Sequence, residues 1–464
     1  MYLSRPFTGL VGYTFYLIVN MEKADKYWHI QMYKPEGKGG IEIDSIKMLQ
    51  EPAPVIGTGE WDALDCKHFK EVKNGTIVLV REGNKALALC EIIGKTFQSA
   101  DLESKYYNIN YRLVKVLAWA KDYKQPRARL FSQGTFQPCN SNTEQYQYIA
   151  EWLKTIRNME NLNKYKTQVL SNKNLIFSGA PGTGKSYLAR LIAASIIGCD
   201  KDELNSSKQF QFVQFHPSYD YTDFVEGLRP YQKEESSDIG FKLEPGIFYT
   251  FCQEALKENE KNYVFVIDEI NRGEISKIFG ELFFSVEPSY RGTKGNVTTQ
   301  FANLHKEENE FDKEIGNKRK GNFFVPDNVF IIATMNDIDR SVESLDFAFR
   351  RRFPTEYIKW DDTLDAIVES LSTSYKYEAK KALERLNKAI AEDEDLGEDY
   401  TIGAAYLLHL KDNDNAKSTL KDLWNSYLET IIKEYLKGLL SPKELKEKIA
   451  SLRNIFLDET TAEQ

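Results

Sequence analysis

Cysteine is scarce in this sequence, and neither a long apolar run nor an excess of positive charge is present. The cysteines are Cys66, Cys90, Cys139, Cys199 and Cys252. They form no C-x-x-C pair and no Cys/His group at zinc spacing, so we expect reduced thiols and no structural zinc. A formal net charge of -8 argues against a chain that coats nucleic acid through bulk positive charge. Any DNA contact is therefore expected to be local.

Residues 9–19 form the first apolar run, behind Arg5. The run faintly resembles a signal peptide but has no small-x-small cleavage site, and it is too short to span a membrane. An extension upstream of a true start at Met21 explains residues 1–20 at least as well as a signal peptide does. The expected location is the cytoplasm, without a membrane partner.

The length of 464 residues is enough for two or three domains. Residues 21–125 contain short strand-like runs separated by turn residues, which indicates a small, mainly β domain. Residues 126–148 are polar and turn-rich, and we expect a linker there. Residues 149–358 alternate apolar strands with helices, which predicts an α/β core with a parallel sheet. Residues 359–464 have helical periodicity and predict a helical domain.

A glycine-rich loop follows the apolar segment 174–178 and precedes a helical pattern. It consists of Gly179, Ala180, Pro181, Gly182, Thr183, Gly184, Lys185 and Ser186. Glycines at this spacing let backbone N–H groups face phosphate oxygens at the N-terminus of a helix. Lys185 is expected to reach the β- and γ-phosphates, and Ser186 to bind Mg²⁺. A chance glycine turn is the alternative.

Two carboxylates, Asp268 and Glu269, end a second apolar strand. Acids at the end of a buried strand are costly unless they serve a cation or a water molecule. We predict that Asp268 binds Mg²⁺ and that Glu269 is the general base. A solvated acid pair is the alternative.

Polar residues also follow a third apolar strand, and an arginine cluster comes next. Asn336 is placed to orient the attacking water beside the γ-phosphate. Arg350, Arg351 and Arg352 are consecutive. They fit a basic surface patch, or they supply charge to the transition state in a neighbouring subunit.

The order and spacing of these motifs resemble the AAA+ superfamily, and within it the McrB family of modification-dependent restriction systems. The matching stretches are residues 215–230 (FHPSYDYTDFVEGLRP), 266–273 (VIDEINRG), 276–282 (SKIFGEL) and 335–341 (MNDIDRS). The family's last stretch commonly reads Met-Asn-Thr-Ala-Asp, whereas Asp337 and Ile338 occupy the middle pair here. That departure bears on the fine control of hydrolysis.

The resemblance implies an AAA+ P-loop NTPase core with a C-terminal helical lid. It also implies a sensor-1 role for Asn336, a family-specific role for Asp339, and arginine fingers acting in trans at Arg350 or Arg351. Fingers in trans require a homo-oligomeric ring, expected to be a hexamer. The substrate is GTP by resemblance or ATP, because the phosphate-binding residues do not distinguish the bases.

Two further segments leave alternatives open. Residues 400–406 resemble the lid segment of McrB-like proteins but lack a clear sensor arginine, and a plain helix start fits them equally well. His216 follows a strand near the nucleotide site, and we favour a structural role because Glu269 already supplies a base.

The β domain looks like the EVE/YTH-type, PUA-related domains that recognise modified bases. Trp61 is the first candidate and Trp28 the second for stacking on a flipped modified base of double-stranded DNA. Alternatively, both tryptophans are core residues of a small barrel. Glu71 and Lys73 have the E-x-K spacing of restriction nucleases, but no preceding apolar strand with a matched acid supports a nuclease, so cleavage would need an McrC-like partner.

The preferred hypothesis is a ring-forming NTPase that recognises modified DNA and drives a separate nuclease. The first alternative is an AAA+ ATPase that remodels proteins through a protein-binding N-terminal domain. The second is a modified-nucleic-acid binding module whose nucleotide site is a regulatory switch.

Overall fold

The computed structural model describes residues 27–32, 42–59, 63–128, 130–131, 134–141, 143–232, 239–316, 320–338, 347–410 and 416–459. The chain forms two compact units, Met1–Asn161 and Leu162–Gln464. The hypothesis that residues 1–20 are an upstream extension lies outside the described residues.

The N-terminal unit is built on a six-stranded sheet with the strand order β2-β5-β4-β3-β1-β6. The strands are β1 (Tyr27–Gln31), β2 (Val55–Thr58), β3 (Ile77–Glu82), β4 (Lys85–Ile92), β5 (Asn110–Trp119) and β6 (Phe136–Cys139). The helices are α1 (Glu42–Gln50), α2 (Ala63–Glu71), α3 (Ala100–Tyr106) and α4 (Glu144–Asn172), and the boundary between the two units falls within α4.

Both faces of this sheet are covered. Along β3, Val78 and Val80 contribute to one apolar cluster, whereas Ile77 and Leu79 contribute to another. This alternation follows from the two-residue period of a strand. The prediction of a small, mainly β N-terminal region is confirmed.

The expected linker at 126–148 is wrong in its second half. β6 pairs with β1, with Ile30 opposite Phe136, and α4 begins at Glu144. β6 is a short edge strand that contains Pro138, a residue that sheets tolerate at an edge because it donates no ladder hydrogen bond. Its brevity and its polar residues hid the strand in the sequence.

The C-terminal unit begins with an α/β core. Its strands are β7 (Asn174–Ser178), β8 (Phe210–Gln214), β9 (Glu226–Gln232), β10 (Ile239–Pro245), β11 (Tyr263–Asp268), β12 (Val297–Thr298), β13 (Asn322–Phe323), β14 (Val329–Thr334) and β15 (Thr355–Tyr357). Its helices are α5 (Lys185–Ile197), α6 (Tyr221–Phe224), α7 (Ile247–Lys257), α8 (Ile275–Phe279), α9 (Leu282–Ser285), α10 (Glu310–Ile315) and α11 (Phe347–Arg352).

Five of these strands form one parallel sheet in the order β15-β7-β14-β11-β8. Its central strands are apolar because both faces of the sheet are covered, and every residue of β14 is buried. The carboxyl ends of parallel strands meet at one edge, where ligands bind in open α/β sheets. The predicted parallel α/β core is confirmed.

A helical region follows the core. It contains α12 (Leu364–Ser370), α13 (Lys376–Ala391), α14 (Ala416–Leu423), α15 (Glu429–Leu436) and α16 (Pro442–Leu457). These helices share their own apolar cluster around the fully buried Trp424. Residues 400–406 are not the start of an α-helix, because short 3₁₀ turns at Glu398–Tyr400 and Ala404–His409 flank an extended stretch. Across the described ranges, no helix combines the length and the apolar character needed to cross a membrane.

Candidate nucleotide site

The glycine loop joins β7 to α5 in a backbone conformation that favours glycine. Gly179, Gly182 and Gly184 have φ values of 144°, 78° and 86°, which side chains rarely adopt. Because α5 begins at Lys185, its free N–H groups and the positive end of its dipole face this loop. The structure thus brings the predicted phosphate-binding residues 179–186 into one loop and the first turn of a helix.

Lys185 is buried within this loop. Its Nζ donates hydrogen bonds to the carbonyl oxygens of Gly179 at 2.9 Å and Ala180 at 2.8 Å, and to Oδ1 of Asn336 at 2.8 Å. Burial lowers the pKa of Lys185 to about 8, and neighbouring carboxylates, Glu269 foremost, oppose the shift. The ammonium group is therefore dehydrated and close to where phosphates would lie, which strengthens its interaction with an anion.

Ser186 and Asp268, the predicted Mg²⁺ ligands, are in direct contact. Oγ of Ser186 donates to Oδ1 of Asp268 at 2.5 Å, and Oγ1 of Thr334 donates to the same oxygen at 2.7 Å. Within the described ranges, no group of three or more His, Cys, Asp and Glu is arranged to hold a metal ion. One hydroxyl and one carboxylate suit Mg²⁺, which proteins bind through one or two carboxylates together with the phosphates of a substrate.

Glu269 follows Asp268 in a left-handed conformation, with φ 54° and ψ 48°. Its Oε1 accepts a hydrogen bond from Nδ2 of Asn336. Its Oε2 lies 3.4 Å from Nε of Arg272 in an ion pair, but among the described residues this buried oxygen accepts no hydrogen bond. Burial raises the pKa of Glu269, and the charge of Arg272 opposes the rise. A buried carboxylate with raised basicity suits a general base.

Asn336 connects Lys185 to Glu269 through the two ends of its side-chain amide. Its own position is fixed by Nδ2 of Asn271, which donates to the carbonyl oxygen of Asn336 at 3.1 Å. The structure therefore brings five predicted residues together: Lys185, Ser186, Asp268, Glu269 and Asn336.

Sequence reasoning missed Thr334 and Asn271 as members of this site. Besides its bond to Asp268, Oγ1 of Thr334 accepts a hydrogen bond from the backbone N–H of Glu269 at 3.2 Å. Each residue lies two positions from a predicted one in the chain, Thr334 before Asn336 and Asn271 after Glu269.

The predicted arginine fingers lie on α11. Arg350 and Arg351 are exposed, and the guanidinium of Arg351 forms an ion pair of 3.0 Å with Glu287. Arg352 is largely buried and lies 3.4 Å from the same carboxylate. Asp339 lies outside the described residues.

His216 and Trp28, one of the two tryptophans predicted to bind DNA, each contact an aromatic ring. His216 is exposed and contacts the ring of Tyr219 edge-on, with centroids 5.6 Å apart. Trp28 is half-buried and stacks on Phe136 with centroids 4.6 Å apart, so its packing fits the core alternative. Trp61 lies outside the described residues.

The E-x-K pair does not form part of any strand. Glu71 ends α2, and both Glu71 and Lys73 are exposed. Nuclease sites of this type need the acid and the lysine on a strand beside a second acid. This placement agrees with the interpretation that the spacing is coincidental.

The parallel sheet and the residues at its carboxyl edge define an AAA-type P-loop NTPase fold. Residues 174–353 match the AAA domain of the dynein-related subfamily. Residues 378–441 match the alpha-helical lid domain of McrB. The chain therefore carries an McrB-like AAA domain followed by an McrB lid domain, as the sequence resemblance predicted.

Two curated relatives support this assignment. The chain is 35% identical over 242 residues to the type IV methyl-directed restriction enzyme EcoKMcrB subunit of Escherichia coli, covering 50% of this chain and 47% of that protein. It is 32% identical over 232 residues to the type II restriction enzyme BsuMI component YdiS of Bacillus subtilis, covering 44% and 62%. The chain thus spans only about half to three fifths of these relatives' lengths.

A solved structure of NtrX from Brucella abortus matches 63% of this chain and 68% of its own chain. Its identity is 13% and its TM-score 0.27. A likeness at this level supports no conclusion about the chain.

Proposed function

We propose that this chain hydrolyses a nucleoside triphosphate and is the motor and DNA-recognition subunit of a modification-dependent restriction system. The observation behind the proposal is the cluster of Lys185, Asp268, Glu269 and Asn336 at one sheet edge, within an AAA domain followed by an McrB lid. Both curated relatives are named as restriction enzyme components.

The chemistry assigns a role to each of these side chains. Lys185 and the loop N–H groups bind the phosphates. Oε2 of Glu269 takes a proton from a water molecule as the water oxygen attacks the γ-phosphorus, and the nucleoside diphosphate leaves. Asn336 holds Glu269 and positions that water. Ser186 and Asp268 would hold Mg²⁺, which neutralises charge on the β- and γ-phosphates when bound.

We propose that the active site is completed by a neighbouring subunit in a hexameric ring. Arg350 and Arg351 are exposed on α11, where a neighbouring subunit could contact them, and Arg351 would exchange its ion pair with Glu287 for that contact. A guanidinium that reaches the neighbour's γ-phosphate would stabilise transition-state charge. Asp339 is proposed to act in the same inter-subunit site.

The substrate is proposed to be GTP, with ATP as the alternative. This choice rests on the family resemblance, because the contacts described above involve only the phosphate-binding residues. Steady-state hydrolysis of each nucleotide at equal concentrations would decide between them. A preference for ATP of tenfold or more would contradict GTP as the substrate.

The N-terminal unit is proposed to be an EVE/PUA-like domain that recognises a modified base in double-stranded DNA. Cleavage is assigned to a separate McrC-like nuclease. Trp61 is the first candidate for base stacking. Trp28 is the weaker one, because its ring already stacks on Phe136.

The full-length protein tests the assignment. We expect nucleotide hydrolysis, together with tighter binding of duplexes that contain methylated cytosine or adenine than of unmodified duplexes. Hydrolysis without any DNA preference would contradict the restriction role and favour a protein remodeller. DNA binding without hydrolysis would favour a nucleotide-regulated binding module.

A further inference from the structure

Two hydrogen bonds join the C-terminal helical region, from the N-cap of α12 to the end of α16 and called the lid below, to the backbone of the phosphate loop. Oγ1 of Thr363 donates to the carbonyl oxygen of Thr183 at 2.6 Å. The backbone N–H of Ala405 donates to the carbonyl oxygen of Gly182 at 2.9 Å. Thr363 precedes α12, and Ala405 lies between α13 and α14, so two separate parts of the helical region contact the loop.

Thr363 donates its hydroxyl hydrogen to the phosphate loop although it is placed to cap its own helix. It is the N-cap residue of α12, where a threonine commonly accepts a hydrogen bond from its own helix. No such bond forms here among the described residues. Thr363 is buried, with 6% of its surface exposed, so its hydroxyl is committed to Thr183.

Gly403 lets the second contact form. Its φ of -68° is available to any residue, so the backbone conformation does not require glycine. A Cβ on Gly403 would, however, lie 2.0 Å from the carbonyl carbon of Gly182 and 2.3 Å from the nitrogen of Thr183. Residue 403 must therefore be glycine for the lid to touch the loop at this distance.

The geometry of the peptide group gives these contacts a consequence for phosphate binding. In a planar trans peptide, the C=O and the N–H point in opposite directions. Holding the carbonyls of Gly182 and Thr183 toward the lid therefore turns the N–H groups of Thr183 and Gly184 away from it. The N–H of Thr183 donates to the carbonyl oxygen of Ala180 at 3.4 Å, whereas the N–H of Gly184 belongs to the part of the loop that is expected to surround the phosphates.

A second loop of the site also touches the lid. Ile338, which follows Asn336 by two residues, packs against the apolar cluster of the lid helices. The lid segment 400–406 contains no lysine or arginine. That segment therefore supplies no cationic side chain to the phosphates. It contacts the phosphate loop through the backbone, by the hydrogen bond from Ala405 to Gly182.

We propose that Thr363 and the segment 403–406 form a lid latch that positions the phosphate loop for nucleotide binding. Thr363 is a positioning residue, because it acts through Thr183 and does not touch the substrate. The proposal rests on the proposed binding of a nucleoside triphosphate at this site. The lid then sets the affinity for the triphosphate by orienting the backbone of the phosphate loop.

Thr363→Val tests the latch by removing the hydroxyl while keeping the shape. We expect Kd and KM for the triphosphate to rise about two- to twelvefold, which corresponds to the loss of one neutral hydrogen bond of about 0.5–1.5 kcal/mol. Because the bond is made in both ground and transition states, kcat should change less than KM. Thr363→Ser, which retains the hydroxyl, should restore KM to near the wild-type value.

The matched control is Thr373→Val. Thr373 is also buried in the lid, and its hydroxyl accepts a hydrogen bond from Tyr375 away from the phosphate loop. This control should leave KM unchanged. Gly403→Ala forces the lid from the loop and should raise KM at least as much as Thr363→Val, with the apo protein still folded by circular dichroism.

The outcomes separate the latch from the site itself. If the wild type binds triphosphate and Thr363→Val binds equally well, the latch is wrong while the nucleotide site stands. If KM rises equally in Thr363→Val, Thr363→Ser and Thr373→Val, general loss of packing explains the effect and the latch is again wrong. If the wild type binds no triphosphate, the proposed function itself fails.

Discussion

Replacing Glu269 with glutamine should stop hydrolysis while preserving nucleotide binding. Glutamine keeps the length of the side chain and the Oε1 atom that accepts a hydrogen bond from Asn336. It has no basic carboxylate oxygen to take a proton from water. The left-handed backbone at this position is equally strained for both residues, so the substitution removes the base and leaves the loop in place.

The expected loss follows from the role of a general base. Positioned bases contribute about 10²–10⁴-fold to rate, so kcat should fall at least about 100-fold, or about 2.7 kcal/mol in activation free energy. The pH of the binding assay has to be chosen with Lys185 in mind. Lys185 has a pKa of about 8 and loses a supporting carboxylate in this variant. The assay should be run near about pH 6.5, where the ammonium stays charged.

Phosphate release under saturating nucleotide and Mg²⁺ measures turnover, and titration with a fluorescent nucleotide analogue measures binding. Glu274→Gln is the matched control, because Glu274 is an exposed glutamate in the same stretch of chain. It should hydrolyse at the wild-type rate. If Glu269→Gln binds nucleotide normally and loses less than tenfold in kcat, another group is the base and the proposed mechanism is wrong.

Three further predictions concern pH, the ring and DNA. Bound phosphates should raise the pKa of Lys185 from about 8. Triphosphate affinity should therefore fall as pH rises from 7 to 9, by at most about tenfold per pH unit. Calorimetry in two buffers should detect proton uptake on binding, and an affinity that does not change with pH would contradict the shift. Arg350→Ala and Arg351→Ala should abolish turnover in assembled protein but cost little stability, and mixing either with Glu269→Gln should restore activity if the fingers act in trans. Trp28→Ala should lower the thermal unfolding temperature through lost packing, whereas selective loss of modified-DNA binding with unchanged stability would establish the stacking role.

The parallel core was predictable because each of its strands is a nearly continuous apolar run. The segment 174–178 was expected with the observed bounds, and the third apolar strand is Val329–Thr334, since burial on both faces leaves a strong signal. β6 was missed for the opposite reason. Only Phe136 and Cys139 of its residues are buried, and a four-residue edge strand with a proline has no lasting period. Its partner β1 is more than 100 residues away in sequence, and only the folded chain brings the two together.

The site was predictable where chemistry follows directly after a strand, as at Asp268, Glu269 and Asn336. Thr334 was hidden because a threonine at the end of an apolar strand looks like another β-branched sheet residue. Its contact with Asp268 follows from the parallel pairing of β14 with β11. Thr363 was beyond sequence reasoning, since 180 residues separate it from Thr183. No local period or motif can report such a contact.

The backbone at Glu269 gives an independent argument for its function. A left-handed conformation costs a residue other than glycine about 1–3 kcal/mol, and burial of the carboxylate adds a further cost that its raised pKa reflects. For folding alone, glycine would suit this position better. Neighbouring side chains instead hold Glu269 in this conformation. Oγ1 of Thr334 accepts a hydrogen bond from the backbone N–H of Glu269, Asn336 donates to Oε1, and Arg272 forms an ion pair with Oε2. A strained and dehydrated glutamate that three neighbours hold in place agrees with the proposed role in proton abstraction better than with a contribution to stability.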